Sequence, residues 1–283
     1  QLMTQIAPDG QECLDGTRFL DWPSNSNKDA IAAGLQALMV WGMRVGVEFA
    51  ELFEDRQLSN DCKAAEKKLV KAASKVYKKF LASCPAPDAP GSKQVTALMT
   101  ITGLIDAPKA DKEFLSINGA QGFSTFYGYY MLEAMAMAGN YQGALDVIRE
   151  YWGAMIDLGA TSFWEDFDIN WIPNAAPIDE LVPEGKKDIH GDCGAYCYVG
   201  FRHSLCHGWA SGPTSWLSRH ILGVEVIEPG CRQVRITPHL GDLQWVKGTF
   251  PTPYGELQIY HEKQANGNVI SEVKAPKGVS VIK

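Results

Sequence analysis

The stretches RQVRITP (Arg232–Pro238), LQWVKGTF (Leu243–Phe250) and GELQIYHE (Gly255–Glu262) are short, β-branched and aromatic. NVISEVKAP (Asn268–Pro276) and VSVIK (Val279–Lys283) continue the pattern, with Gly, Pro and the NGN triplet between them. Short runs of this kind separated by turn formers predict an antiparallel β-sheet folded into a small sandwich. Before about Gly223 the period is different. Apolar residues recur at helical spacing, and the helices follow one another in hairpin-like order. Helices in series followed by strands in series argue against a parallel α/β sheet. The expected fold class is mainly α with a β domain, divided as residues 1–223 and 224–283.

The helical part divides further. Ile31, Leu35, Leu38, Val45, Phe49 and Leu52 mark a helix from Asn27 to about Phe53, with Ser26 or Asn27 as its cap. A second runs from Ser59 to Ala82, and its Lys67, Lys68, Lys71, Lys75, Lys78 and Lys79 read as a solvated face. CPAPDAPGS (Cys84–Ser92) breaks the pattern, and a shorter helix follows over Lys93–Leu104. Phe123–Ala138 and Tyr141–Leu158 are joined by the stop signal AGN. After the long loop Asn170–Asp192, helical patterns resume at Gly194–Leu205 and Gly212–Leu222.

Composition narrows the function. Of 283 residues, 46% are hydrophobic and 21% charged, the balance of a globular chain with a substantial core. A formal charge of −7 argues against nucleic acid as partner, since phosphates call for a basic face. It suits a neutral ligand such as a sugar. No apolar run approaches the ~20 residues of a membrane span, so no membrane segment is expected. Gln1 opens the chain and no signal-peptide pattern follows it, so a longer parent with upstream domains is expected. The seven cysteines are too scattered and odd in number for a disulfide framework. Cys193, Cys197 and Cys206 cluster with His190, His203 and His207, but the spacing fits no familiar zinc pattern. Neither metal nor cofactor is expected.

One stretch carries chemistry. GATSFWEDFDIN (Gly159–Asn170) gathers Trp164, Glu165, Asp166, Asp168, Phe163 and Phe167 at a helix end. A solvated loop has no need of the rings, and a core has no use for the acids. On the residues alone, Glu165 is either a reactive carboxylate beside aromatic walls or a loop cap.

Three runs resemble the bacterial α-L-rhamnosidases: YWGAMIDLGATSFWEDF (Tyr151–Phe167), SLCHGWASGPTSWLSRHILGV (Ser204–Val224) and Arg232–Glu262. FLDWPS (Phe19–Ser24) resembles the Asp-Trp segment entering the same domain. The resemblance implies an inverting glycoside hydrolase with a six-hairpin α/α toroid and a C-terminal β-sandwich. About seven helices fall short of six hairpins, so part of the toroid is expected upstream.

Inversion uses two carboxyl groups, an acid for the leaving oxygen and a base for water. The resemblance makes Glu165 the general base, with Trp164 and Phe163 walling the sugar. The general acid belongs to an earlier Asp-Glu pair. LDGTRFLDW (Leu14–Trp22) has Phe19 and Leu20 where that pair would stand, so Asp15 reads as a turn residue and the acid lies outside the chain. Asp21 and Trp22 are candidates for contacting the sugar, or else a cap and a core ring. His207 matches a pocket histidine of the family, Trp209 lies in the same run, and Trp171 is a candidate pocket wall. Trp216 reads as core.

The expected partner is a carbohydrate. Two other readings stay open at this stage. One is a non-catalytic toroid that binds sugar; the other is an enzyme of different specificity on the same fold. A uronate lyase is disfavoured by the scarcity of Lys and Arg around Glu165.

Overall fold

The computed structural model describes residues 1–188 and 203–282. Helices α1 (Lys28–Leu52) and α2 (Arg56–Ser83) pack against each other as a hairpin. Asn27 caps the first, its Oδ1 accepting from the Ala30 amide at 3.0 Å, and Asp55 caps the second through the Leu58 amide at 2.9 Å. All six of the α2 lysines named above are exposed, as a solvated face requires. By length and composition α1 is apolar enough to cross a membrane, where the sequence reading had no apolar run of that length. Asp29, Gln36, Arg44 and Glu48 interrupt it, while its Ala, Val, Met and Leu content keeps its average hydropathy high. Half of that stretch is buried inside the protein, the behaviour of a core helix.

Helix α3 (Ser92–Ile101) is the centre of the helical part. Every residue from Ser92 to Thr100 is buried, although Ser, Lys, Gln and Thr make up much of the sequence. Buried polar groups need partners. Lys93 Nζ donates to the carbonyls of Ile117 at 2.8 Å and Gly119 at 2.7 Å, and lies over the Phe123 ring at 5.0 Å. Burial pulls its ammonium down to about 8, against the opposing pull of Glu150, Asp88 and Asp111.

A short helix α4 (Ala107–Ala110), capped by Asp106, continues into a π-helical turn over Asp111–Leu115; the sequence reading had no helix here. Helix α5 (Gly128–Met137) begins five residues later than expected, so Ser124 and Thr125 sit in the preceding turn. Gly139, at φ +78°, ends it, and Asn140 caps α6 (Tyr141–Asp157) through the Gly143 amide at 2.9 Å. A 3₁₀ turn, Ile169–Asn174, leads into β1 (Ala175–Ala176), which pairs parallel with β2 (Lys187–Asp188), each two residues long. Most of the expected Gly194–Leu205 helix lies outside the described residues, and residues 203–205 are not helical. Helix α7 (Gly212–Trp216) passes into a second π-helical turn, Leu217–Ile221. Trp216 is core, as read, with its Nε1 donating to the Leu132 carbonyl at 3.0 Å.

The strands are β3 (Val224–Val226), β4 (Gln233–Ile236), β5 (Trp245–Thr252), β6 (Gly255–Lys263), β7 (Val269–Lys274) and β8 (Ser280–Ile282). They form two three-stranded sheets, β3-β4-β8 and β5-β6-β7. Leu222, Val224, Val234, Ile236, Leu257 and Ile259, drawn from both sheets and the last turn before them, make one apolar cluster. The expectation of wholly antiparallel pairing is corrected at β8, which runs parallel to β4 in the register Val234–Val281. That pairing joins chain segments too distant for local turn signals to specify.

The two parts are tied where the period changes. His261 bonds Ser271 Oγ at 2.7 Å and the Leu222 carbonyl at 3.1 Å, Arg149 pairs with Asp242 at 2.8 Å, and Tyr141 stacks on His239 at 3.7 Å. Gly223 sits at the junction with φ +72°, and a Cβ there would stand 2.3 Å from the Thr237 carbonyl carbon. Both its backbone angle and its closeness to main chain reject a side chain. Gly223→Ala is expected to lower unfolding stability by roughly 2 kcal/mol or more, measured by denaturant titration. A change below about 0.5 kcal/mol, the range of an ordinary surface substitution, would contradict this account of the junction.

Candidate functional site

The Gly159–Asn170 stretch leaves α6 and runs irregularly, with side chains turned to opposite sides. Trp164 and Phe167 enter the core at 0% and 1% exposure, Asp166 is buried at 2%, and Glu165 keeps a side chain 16% exposed. Trp164 therefore does not wall an open pocket. Its ring packs edge-on to Phe167, and the half-buried Phe163 is the outer aromatic of the pair. Trp164, Asp166 and Phe167 turn inward while Phe163 and Glu165 keep some exposure, a partition that a list of residue types does not reveal.

Two backbone bonds pin this segment to residues 204–207. The Glu165 amide donates to the Ser204 carbonyl at 2.8 Å, and the His207 amide donates to the Phe163 carbonyl at 2.7 Å. The Ser204 amide in turn donates to Glu165 Oε2 at 2.9 Å. The Glu165 carbonyl accepts from Thr125 Oγ1 at 2.6 Å and Trp209 Nε1 at 2.7 Å. His207 Nδ1 stands 3.8 Å from Glu165 Oε2, and its ring lies 4.5 Å from that of Trp209, which stacks on Phe126. Glu165, His207 and Trp209 thus converge. The indole of Trp209 spends its one donor on the Glu165 backbone, which leaves its half-buried ring as the surface it can offer a ligand.

Asp21 is placed differently from a sugar-contacting group. It is 2% exposed; its Oδ2 accepts from Ser124 Oγ at 2.5 Å and Gln94 Nε2 at 3.1 Å, and its Oδ1 accepts from the Trp22 amide at 2.9 Å. Nor does it cap a helix, since α1 starts at Lys28 behind Asn27. Desolvation outweighs these bonds and raises its carboxyl to about 6. Trp22, half-buried, lines a cleft of about 510 Å³ with Pro23, Gly122, Phe123, Phe167 and Asp168. Trp171 is half-buried against Phe167 and His203. Ser124, adjacent to Thr125, thus links Asp21 to the Glu165 cluster.

Asp15 is exposed beside Gly16 at φ +79°, and Arg18 pairs with Glu12. His190, Cys193 and Cys197 lie outside the described residues, His203 is buried, and Cys206 is exposed. Among the described residues no three potential ligands gather as a metal set would.

Sequence reasoning missed Gln94, Ser124, Thr125 and Phe126. The Ser-Thr pair ahead of α5 was the available signal, and placing the helix start at Phe123 concealed it.

The raised Asp21 carboxyl has a consequence for stability. The folded protein retains a proton that the unfolded chain releases between the ordinary Asp value and about pH 6. Stability is therefore expected to fall as pH rises through that window, and the full cost stands above it. Asp21→Asn should flatten this part of the profile in denaturant titrations between about pH 4 and 7. Identical slopes in the two proteins would mean that Asp21 is not the group responsible.

Residues 223–282 match the family model described as the bacterial alpha-L-rhamnosidase C-terminal domain. No curated protein matches the chain in sequence. The fold is similar to three solved structures. The native α-L-rhamnosidase of Aspergillus terreus has TM-score 0.66 at 16% identity, over 92% of this chain and 29% of that one. The GH78 family rhamnosidase of Bacillus sp. GL1 has TM-score 0.67 at 21% identity, over 99% of this chain and 29% of that one. The Streptomyces avermitilis α-L-rhamnosidase complexed with L-rhamnose has TM-score 0.68 at 18% identity, over 99% of this chain and 25% of that one. The chain thus spans between a quarter and three tenths of their length. By its matched C-terminal domain, and by its fold along nearly all its length, the chain resembles the C-terminal part of an α-L-rhamnosidase.

Proposed function

We propose that this chain is the C-terminal part of a glycoside hydrolase that removes terminal rhamnose with inversion, with Glu165 as its general base. In this reading residues 1–223 complete an α/α toroid whose remaining helices lie upstream, and residues 224–283 form a β-sandwich. The observation that carries it is the Glu165 carboxylate. It is partly exposed, fixed at its amide, carbonyl and Oε2, and set beside His207 and Trp209. A base that activates water needs a fixed, ionised carboxylate near the sugar face. The solved structure complexed with L-rhamnose supports the choice of sugar.

In the reaction, Glu165 takes a proton from water as that water attacks the anomeric carbon from the face opposite the leaving group. The leaving oxygen receives its proton from an acid supplied upstream. His207 holds a sugar hydroxyl, the ring of Trp209 borders the sugar, and Trp22 and Trp171 wall the approach. Asp21, being buried, supports the site from behind.

Glu165→Gln in the full-length protein keeps size and polarity but removes the proton acceptor. A loss of kcat of about a hundredfold or more is expected on an aryl α-L-rhamnoside, with product affinity little changed. Retention of kcat within about threefold would defeat the assignment and turn attention to Asp168 in the Trp22 cleft. Asp166→Asn should affect turnover less, since Asp166 faces inward. The chain as given, lacking the second carboxyl, is expected to show no turnover of the same substrate. Hydrolysis by this chain alone would return Asp15 or Asp21 to consideration as the acid.

A further inference from the structure

We propose that Thr125 is a positioning residue for the general base, joined through Ser124 and Asp21 to the buried helix α3. This rests on the reading of Glu165 as that base. The geometry is continuous. Gln94 of α3 donates to Asp21 Oδ2 at 3.1 Å, and Ser124 Oγ donates to the same oxygen at 2.5 Å. The next residue, Thr125, is 2% exposed and donates Oγ1 to the Glu165 carbonyl at 2.6 Å.

The hydroxyl and the Trp209 indole share that carbonyl from two different elements, the turn before α5 and the 3₁₀ turn Gly208–Ala210. The carbonyl oxygen has two lone pairs, and these two donors match its capacity. Glu165 is therefore held at its backbone by a buried hydroxyl and by the N–H of an indole whose ring borders the sugar, and its carboxylate is left to face the site. Catalytic groups lose rate steeply with small displacement, because attack requires a narrow range of geometry. A residue that fixes the backbone of the base should act on turnover and leave sugar binding nearly alone.

The turn explains why the residue types are needed. Ser124 and Thr125 point their hydroxyls at different partners, one at a buried carboxylate and one at a main-chain carbonyl. An apolar residue of the same shape at 125 would leave that carbonyl with the Trp209 donor alone. Serine would keep the hydroxyl and lose only a methyl group.

The test uses the full-length protein and an aryl α-L-rhamnoside, with kcat expressed per folded molecule. Thr125→Val is expected to lower kcat about tenfold while KM stays within about twofold; because kcat is counted per folded molecule, lost folding would not produce that drop. Thr125→Ser should restore most of the rate. Trp209→Phe, which removes the other donor but keeps a ring, should move kcat in the same direction, and it serves as the readout if Thr125→Val does not fold. In a Glu165→Gln background, Thr125→Val should add no further loss, since its effect passes through the base. Four results would overturn the proposal: kcat of folded Thr125→Val within twofold of the parent, no recovery with serine, an unchanged kcat for Trp209→Phe where that variant is the readout, or the same tenfold loss in the Glu165→Gln background. Failure of the underlying reading shows separately, as a Glu165→Gln protein that keeps its turnover.

Discussion

Helix α3 carries Ser92, Lys93, Gln94, Thr96 and Thr100 into a wholly buried position, and burying polar groups costs free energy unless partners meet them. The surrounding elements supply partners for Lys93 and for the amide nitrogen of Gln94, whereas Ser92 Oγ and Gln94 Oε1 have none among the described residues. Lys93 draws the carbonyls of Ile117 and Gly119 inward, and Thr100 returns its hydroxyl to the Thr96 carbonyl at 2.7 Å. Gln94 reaches Asp21, and Asp21 reaches Ser124. Loss of a single member would leave a buried group unsatisfied, so the network holds its geometry more firmly than apolar contact alone.

That constraint extends to the site. The turn that satisfies Asp21 also presents Thr125 to the Glu165 carbonyl, and the segment carrying His207 and Trp209 closes from the other side. In the proposed role of general base, Glu165 has to be rigid without being buried. Here the rigidity comes from its backbone and from one amide on Oε2, while the carboxylate retains some exposure. The apolar residues on either side, Trp164 and Phe167, anchor the segment by filling the core.

Local chemistry was readable. Asn27 announced a helix start because a short acceptor side chain at a first turn has a local partner a few residues away, whereas Asp55, which caps α2, was passed over for a start at Ser59. The alternation and turn formers after Gly223 announced strands for the same reason. The motif runs pointed to the family whose domain model matches residues 223–282. The burial of α3 was not readable, since its polar residues resemble those of a surface helix. Ser124 and Thr125 were absorbed into an early helix start. Trp164 was placed toward the sugar, and Asp21 either there or at a helix cap, whereas the fold turns both inward.

The sequence by itself therefore determined what depends on neighbours along the chain: periods, caps, turns and the break at Gly223. Only the tertiary structure decided which partners meet across long separations. Gln94 and Asp21 are 73 residues apart, Ser124 and Asp21 are 103 apart, and β8 returns to lie parallel to β4. Such contacts form because a buried donor or acceptor must be matched by whatever the packed fold brings within reach. No local pattern encodes which residue that will be.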